Sequence, residues 1–302
     1  MILLGLIAAA AASVAFNVGI VLQAMDARTE PAEEGLRLSL LASLVRRRRW
    51  VAGLLLGGVG FGLQILALEW APFVVVQPML AAGLLIVLFL GVRMLDERVG
   101  RMEIAGVLAI CGGIALLAVG TPSSTEHITS EPAVIAVVAG LIAVSLVPYA
   151  LRGRGRLDSA MFVIVASATA FGASNVATKL LSDGTSKGHW LFALIWLAVA
   201  GATGLIALTS EMTALQRRPA TVVVPISMGV QTFLPVLLEP IYLTEKWASA
   251  PLDGVPLILG LLAVGAGALA ISRTKAVSSL VGGEIPDSAA KDPRAATVLH
   301  VG

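Results

Sequence analysis

Nine stretches of this chain hold about 20 mostly apolar residues each, the length that crosses roughly 30 Å of hydrocarbon as an α-helix. They fall near residues 2–24, 50–70, 72–94, 103–120, 133–151, 159–181, 189–210, 219–242 and 254–272. In the bilayer core each backbone N–H and C=O needs a partner within its own structure, so runs of this kind must fold as helices. Trp70-Ala71-Pro72 separates the second run from the third, because proline cannot continue a helix it interrupts. A soluble domain is excluded: 57% of the 302 residues are hydrophobic and 13% charged, against about 45–50% and about 25% in soluble proteins. The only cysteine, Cys111, forms no disulfide framework or cysteine-based metal site. His127, His189 and His300 are far apart, and a net charge of +2 gives no sign of a nucleic-acid partner. No GxxxxGK[ST] loop occurs, so no ATP-binding site is expected. No nucleophile, acid/base or metal-ligand set gathers on one leaflet, so neither an enzyme nor a cofactor is expected.

Nine spans leave the termini on opposite sides of the membrane, and the basic residues say which is which. With the N-terminus outside, the inner loops and tail hold eighteen of the 21 Lys and Arg, among them Arg46 to Arg49, Arg152, Arg154 and Arg156. The outer loops hold only Lys187 and Lys246, and Lys179 sits in a span. This is the positive-inside pattern, expected of a multi-pass protein of the cell membrane with a cytoplasmic C-terminus. The first run has no basic region before it and reads as a retained helix rather than a secretory signal. Residues 36–45 are apolar but short, directly before Arg46 to Arg49, and read as a helix lying in the membrane interface.

The chain also repeats. Ala67, Pro78, Glu97, Gly106 and Gly112 are separated by 11, 19, 9 and 6 residues, and Ala214, Pro225, Glu245, Gly254 and Gly260 by 11, 20, 9 and 6. Val74-Val75-Val76-Gln77-Pro78 reads like Val222-Val223-Val224-Pro225, and Ala15-Phe16-Asn17-Val18 like Ala173-Ser174-Asn175-Val176. Five crossings separate matching spans, so the halves run in opposite directions. The expected fold is an all-α integral membrane protein of two inverted-topology repeats. Residues 1–120 form the first repeat of four spans, and 121–157 an outer loop, linker helix and basic inner loop. Residues 158–275 form the second repeat, and 276–302 a disordered cytoplasmic tail. Many secondary transporters share this plan, with the substrate site at the repeat interface near the midplane.

The stretch from Ala67-Leu68-Glu69-Trp70-Ala71-Pro72 to Pro78, followed by Glu97, Gly106 and Gly112, resembles the drug/metabolite transporter superfamily. Three further features resemble its NIPA-type magnesium transporters more than its ten-span EamA type. These are the Trp50 start of the second span, the Ala71-Pro72 entry to the third, and Glu245-Lys246-Trp247 after the eighth. The resemblance covers roughly residues 1–275. It implies a transporter of a small solute, with magnesium first and an organic metabolite or cationic drug as the alternative. Where NIPA proteins have a lysine-rich end to the first span, Asn17 and Gln23 stand here, and no carboxylate lies mid-membrane in that span, where small multidrug exporters resembling half of this fold carry a glutamate. A membrane scaffold or regulatory subunit that moves nothing is the reading from another class.

Polar groups within spans are costly, and they tend to line cavities or pair across helices. The substrate pathway is therefore expected among Asn17, Gln64, Glu69, Gln77, Asn175, Lys179, Gln231 and Glu239, with Gln23 and Thr232 beside them. Pro78 and Pro225 join them because each frees a backbone carbonyl one turn earlier. Lys179 can snorkel to water or pair with Glu69 or Glu239. Glu97 and Arg101, four apart at a helix boundary, read as a surface ion pair. The outer side carries Glu69, Glu126, Glu131, Asp183, Glu239, Glu245 and Asp253 against Lys187 and Lys246, an acidic mouth that concentrates cations. Magnesium is held by one or two carboxylates with waters retained, which makes Glu69 and Glu239 the expected metal ligands. Gly53, Gly57, Gly58 and Gly62 allow close helix approach, read as packing within the chain, with a homodimer as the alternative.

Overall fold

The computed structural model describes the backbone of residues 1–120, 131–151, 160–242 and 251–273. The described residues form α1 (Ile2–Ala27), α2 (Leu38–Leu44), α3 (Arg48–Trp70), α4 (Phe73–Ala82), α5 (Leu84–Met94) and α6 (Arg101–Gly120). They continue with α7 (Glu131–Ala150), α8 (Ala160–Ser186), α9 (Trp190–Arg217), α10 (Ala220–Tyr242) and α11 (Val255–Ser272), and contain no strand. Nine helical segments among them are long and apolar enough to cross a membrane. The outer surface agrees with that: Leu55, Phe89, Leu194, Leu197 and Leu262 are each more than half exposed. Water would penalise such a surface, and lipid does not.

The expected runs all appear, with three differences. First, α8 and α9 extend past 181 and 210 to Ser186 and Arg217. Second, the third span is two helices, α4 and α5, which meet at Gly83. Pro78 removes one N–H from the ladder of α4, and Ser13 Oγ of α1 donates to the Leu80 carbonyl at 3.2 Å. A Cβ on Gly83 would overlap the Asn17 amide and the Ser13 hydroxyl, so only glycine lets α1 approach the junction this closely. Third, residues 38–44 form a helix that turns Leu40, Leu41 and Leu44 inward and leaves Leu38 exposed. Leu40, Leu41 and Leu44 are buried in the same cluster as Trp50, Met212 and Leu215, capping one end of the bundle.

The main helix pairings are α1 with α3, α8 with α9, and α6 with α11. Bridging these pairs, α4 packs on α1 and α6, and α10 packs on α8 and α11. Of the five glycines of α3, Gly53 makes the closest approach: a Cβ there would stand 2.5 Å from the Gly19 carbonyl oxygen, and one on Gly60 would stand 3.1 Å from the Phe16 ring. Gly58 and Gly62 are exposed with open space beside them. Glu131, Asp183 and Glu239 fall in helices, but their side chains lie outside what the structure describes, as do residues Glu126, Glu245, Lys246 and 276–302.

Candidate functional site

Gln64 and Gln77 stand on either side of the Trp70–Phe73 turn, and both face an internal cavity of about 1010 Å³. Its wall draws on α1, α3, α4, α8, α9 and α10, with Ala118 of α6. Six amides line it: Asn17 and Gln23 of α1, Gln64 of α3, Gln77 of α4, Asn175 of α8 and Gln231 of α10. Ser227 and Thr232 add hydroxyls, Phe16, Phe61, Phe73 and Phe171 add aromatic faces, and among the described residues Glu211 of α9 is the one ionisable side chain in the wall.

These polar groups are mostly unengaged. Asn17 Nδ2 donates to the Ser13 carbonyl of its own helix at 2.6 Å, and Thr232 Oγ1 to that of Met228 at 2.8 Å. The side chains of Gln23, Gln64, Gln77, Asn175 and Gln231 make no hydrogen bond among the described residues. Ser227 Oγ is buried without a partner. Neither asparagine bridges two helices, so interhelical hydrogen bonding does not account for them.

Five of the expected pathway residues are thus brought together: Asn17, Gln64, Gln77, Asn175 and Gln231. Glu69 is not in the wall. Five residues past Gln64, it is turned by about 140° around the helix axis, and it is exposed at the end of α3. Lys179 is half-buried one turn beyond Asn175 and also outside the wall. Pro78 and Pro225 are not in the wall either; the carbonyls they free belong to Val74, which lines the cavity, and Thr221, which does not. With the Glu239 side chain outside the described residues, no pairing of Glu69 with Glu239 is described.

Glu211 is the residue that sequence reasoning missed. It lies one residue past the expected end of its span at 210. The offset of 147 residues between Ala67 and Ala214 also separates Gln64 from Glu211. Gln64 stands six residues before the end of α3 at Trp70, and Glu211 six before the end of α9 at Arg217.

The cavity runs between two unlike ends. At one it reaches Pro72 and Phe73, both exposed. At the other, Gln23, Gly53, Glu211 and Val224 form its floor, above a sealed layer. There Trp50 donates its backbone N–H to Asp26 Oδ2 at 2.9 Å and its ring N–H to Met212 Sδ at 3.2 Å. Leu36 donates its N–H to Thr213 Oγ1 at 2.8 Å, and Arg47 pairs with Glu30 at 2.6 Å.

Glu97 locks this end, and the expectation that it forms a surface pair with Arg101 is corrected. It is buried and pairs with Arg28 at the end of α1. Its two oxygens accept the N–H groups of Ala220 at 2.6 Å and Thr221 at 2.9 Å, the first of α10. The segment Arg217-Arg218-Pro219 offers α10 no capping side chain of its own, and orphan N–H groups at a helix start need a partner. A carboxylate from elsewhere in the chain supplies it and also suits the helix dipole.

Fold and wall together define a multi-pass helical membrane protein with a largely apolar cavity in its bundle into which six amides and one carboxylate are set. No protein-family model, curated protein or solved structure matches this chain.

Proposed function

We propose that the chain is a solute transporter whose binding site is this cavity, reached alternately from the two sides of the membrane. The observation that carries the reading is a wall of amides and hydroxyls drawn from both halves of the chain, most of them unengaged among the described residues. Leaving so many polar groups idle in a membrane protein is costly, and a solute that accepts and donates hydrogen bonds offsets that cost.

The layout is that of a drug/metabolite transporter: two inverted repeats of four spans around α7. Its support is the recurring order of packing, in which α1 with α3 matches α8 with α9, and α4 bridging α1 and α6 matches α10 bridging α8 and α11. Asn17 and Asn175 line the cavity from matching helices, ten residues before the end of α1 and eleven before the end of α8. The basic residues make the sealed end cytoplasmic and the Pro72 end external, in the cell membrane.

Between the two solute classes, the geometry favours an organic solute over magnesium. Four phenylalanines and a volume at the upper end of small-molecule pockets suit a body larger than a hydrated ion. The wall offers one carboxylate, and no group of three or more His, Cys, Asp or Glu is suited to a metal among the described residues. A single ionisable group also falls short of an acid/base pair for catalysis. The test is uptake by proteoliposomes, with magnesium and a panel of small organic cations, neutral solutes and anions as separate arms. Saturable uptake of an organic solute that Asn17→Ala and Asn175→Ala each lower at least tenfold supports the proposal. Magnesium uptake alone would restore the divalent-cation reading. No flux of any arm above empty liposomes, from folded protein, would leave a scaffold.

A further inference from the structure

Glu211 stands apart in its surroundings. Its residue is 9% exposed, its side chain forms part of the cavity floor, and no hydrogen bond or ion pair reaches its carboxylate from the described residues. The other buried carboxylates of the sealed end are all engaged: Glu97 with Arg28 and the start of α10, and Asp26 with the Trp50 N–H. Among the described residues no Lys, Arg or His lines the cavity to balance Glu211. A buried carboxylate without a partner is expensive, and proteins retain one where a cation comes to meet it.

The rest of the wall says what kind of cation. Magnesium keeps most of its water and is held by carboxylates or phosphates in near-octahedral geometry, whereas the cavity wall has a single carboxylate among the described residues. Phe16, Phe61 and Phe171 line the same cavity, and aromatic faces attract ammonium groups. Small anions are disfavoured by the absence of any positive side chain in the wall. We propose that Glu211 is the counter-ion for a monovalent organic cation, an ammonium with an aromatic or alkyl body that lies among the phenylalanines. The assignment rests on the reading of the cavity as a transport site.

Phenyltrimethylammonium and its uncharged isostere tert-butylbenzene separate charge from shape. Equilibrium dialysis of the purified full chain in detergent, with protein-free micelles as the blank, measures both. Wild type is expected to bind the cation at least tenfold more tightly than the isostere. Glu211→Gln should bring the two within about threefold, by weakening only the cation, and Glu211→Asp should keep the preference. Equal binding of both probes by wild type overturns the assignment without any variant, as does a Glu211→Gln protein that elutes as wild type and keeps the preference. Flux in proteoliposomes separates this from the reading beneath it. Charge-selective binding without flux leaves the counter-ion and removes the transporter. Saturable flux of a neutral solute, unchanged in Glu211→Gln, leaves the transporter and removes the counter-ion.

Discussion

Gln64 and Glu211 occupy matching places in two peripheral helices. Each stands six residues before the end of its helix, and each lines the cavity, one near the exposed Pro72 end and the other on the sealed floor. The chemistry differs by one group, an amide against a carboxylate. The backbone sets the two at opposite ends of the chamber, and the side chains make those ends differ: a neutral amide at one and a carboxylate at the other. The two ends differ likewise in how they are held. Exposed Glu69 finishes α3 at one, while buried Glu97 ties three segments together at the other.

The largest expected effect tests that second contrast. Glu97→Ala strands Arg28 and two N–H groups of α10, and breaking a buried ion pair from one side costs about 3–5 kcal/mol. Glu69→Ala, on an exposed helix end, should change stability by no more than about 0.5 kcal/mol. Denaturant unfolding of both variants in the same micelle measures the gap, and equal losses would mean that the sealed end does not hang on Glu97. Next in size is the helix contact at the floor. Gly53→Ala drives a methyl into the Gly19 carbonyl, an overpacking that costs about 1–3 kcal/mol. Gly58→Ala, one turn further along with open space beside it, should be neutral or slightly stabilising, because alanine favours helix. If both substitutions destabilise alike in the membrane but not in micelles, the exposed glycines hold a second copy of the chain.

What the sequence made legible follows from the physics of each feature. Span positions were readable because hydrocarbon thickness sets a length that hydropathy alone can meet. The amides Asn17, Gln64, Gln77, Asn175 and Gln231 were readable because polar atoms in apolar runs have few other uses. Glu211 was not, because the apolar run fades before it and a carboxylate at a span edge looks like an ordinary boundary residue. Glu97 was misread for a related reason. An Arg four residues away offers a local partner, while the partners it takes, Arg28 and the amides of Ala220 and Thr221, lie 69, 123 and 124 residues away. The α4–α5 break could have been suspected from Pro78 with Gly83, but which carbonyl is relieved depends on Ser13 of another helix. Local pattern gave the helices; contacts between them gave the lock and the floor.

A charge swap sharpens the first contrast. In Gln64→Glu with Glu211→Gln the carboxylate moves from floor to mouth while the wall keeps its net charge. The swapped protein should recover part of the preference for phenyltrimethylammonium over tert-butylbenzene, remaining about threefold to tenfold weaker for the cation than wild type. The mouth is nearer water, where attraction between charges is weaker. Full recovery, measured by the same dialysis, would mean that position along the cavity is irrelevant and that only its total charge matters.

The smallest effect has an unusual sign. Removing a side chain's charge from a buried site normally costs stability, because the charge had a partner. Glu211 has none among the described residues, so Glu211→Gln in the absence of any cation removes a desolvation cost and keeps the shape of the group. Unfolding of the ligand-free protein should therefore show a gain of about 1 kcal/mol, whereas Gln64→Ala, at the half-buried matching position, should move stability by less than about 0.5 kcal/mol. Adding phenyltrimethylammonium should stabilise wild type and leave Glu211→Gln where it was, since a ligand stabilises only the state that binds it. The order of the two proteins then reverses as the cation concentration rises. A floor built to be completed by a cation requires that crossing. A purely structural carboxylate would instead leave Glu211→Gln less stable than wild type at every concentration.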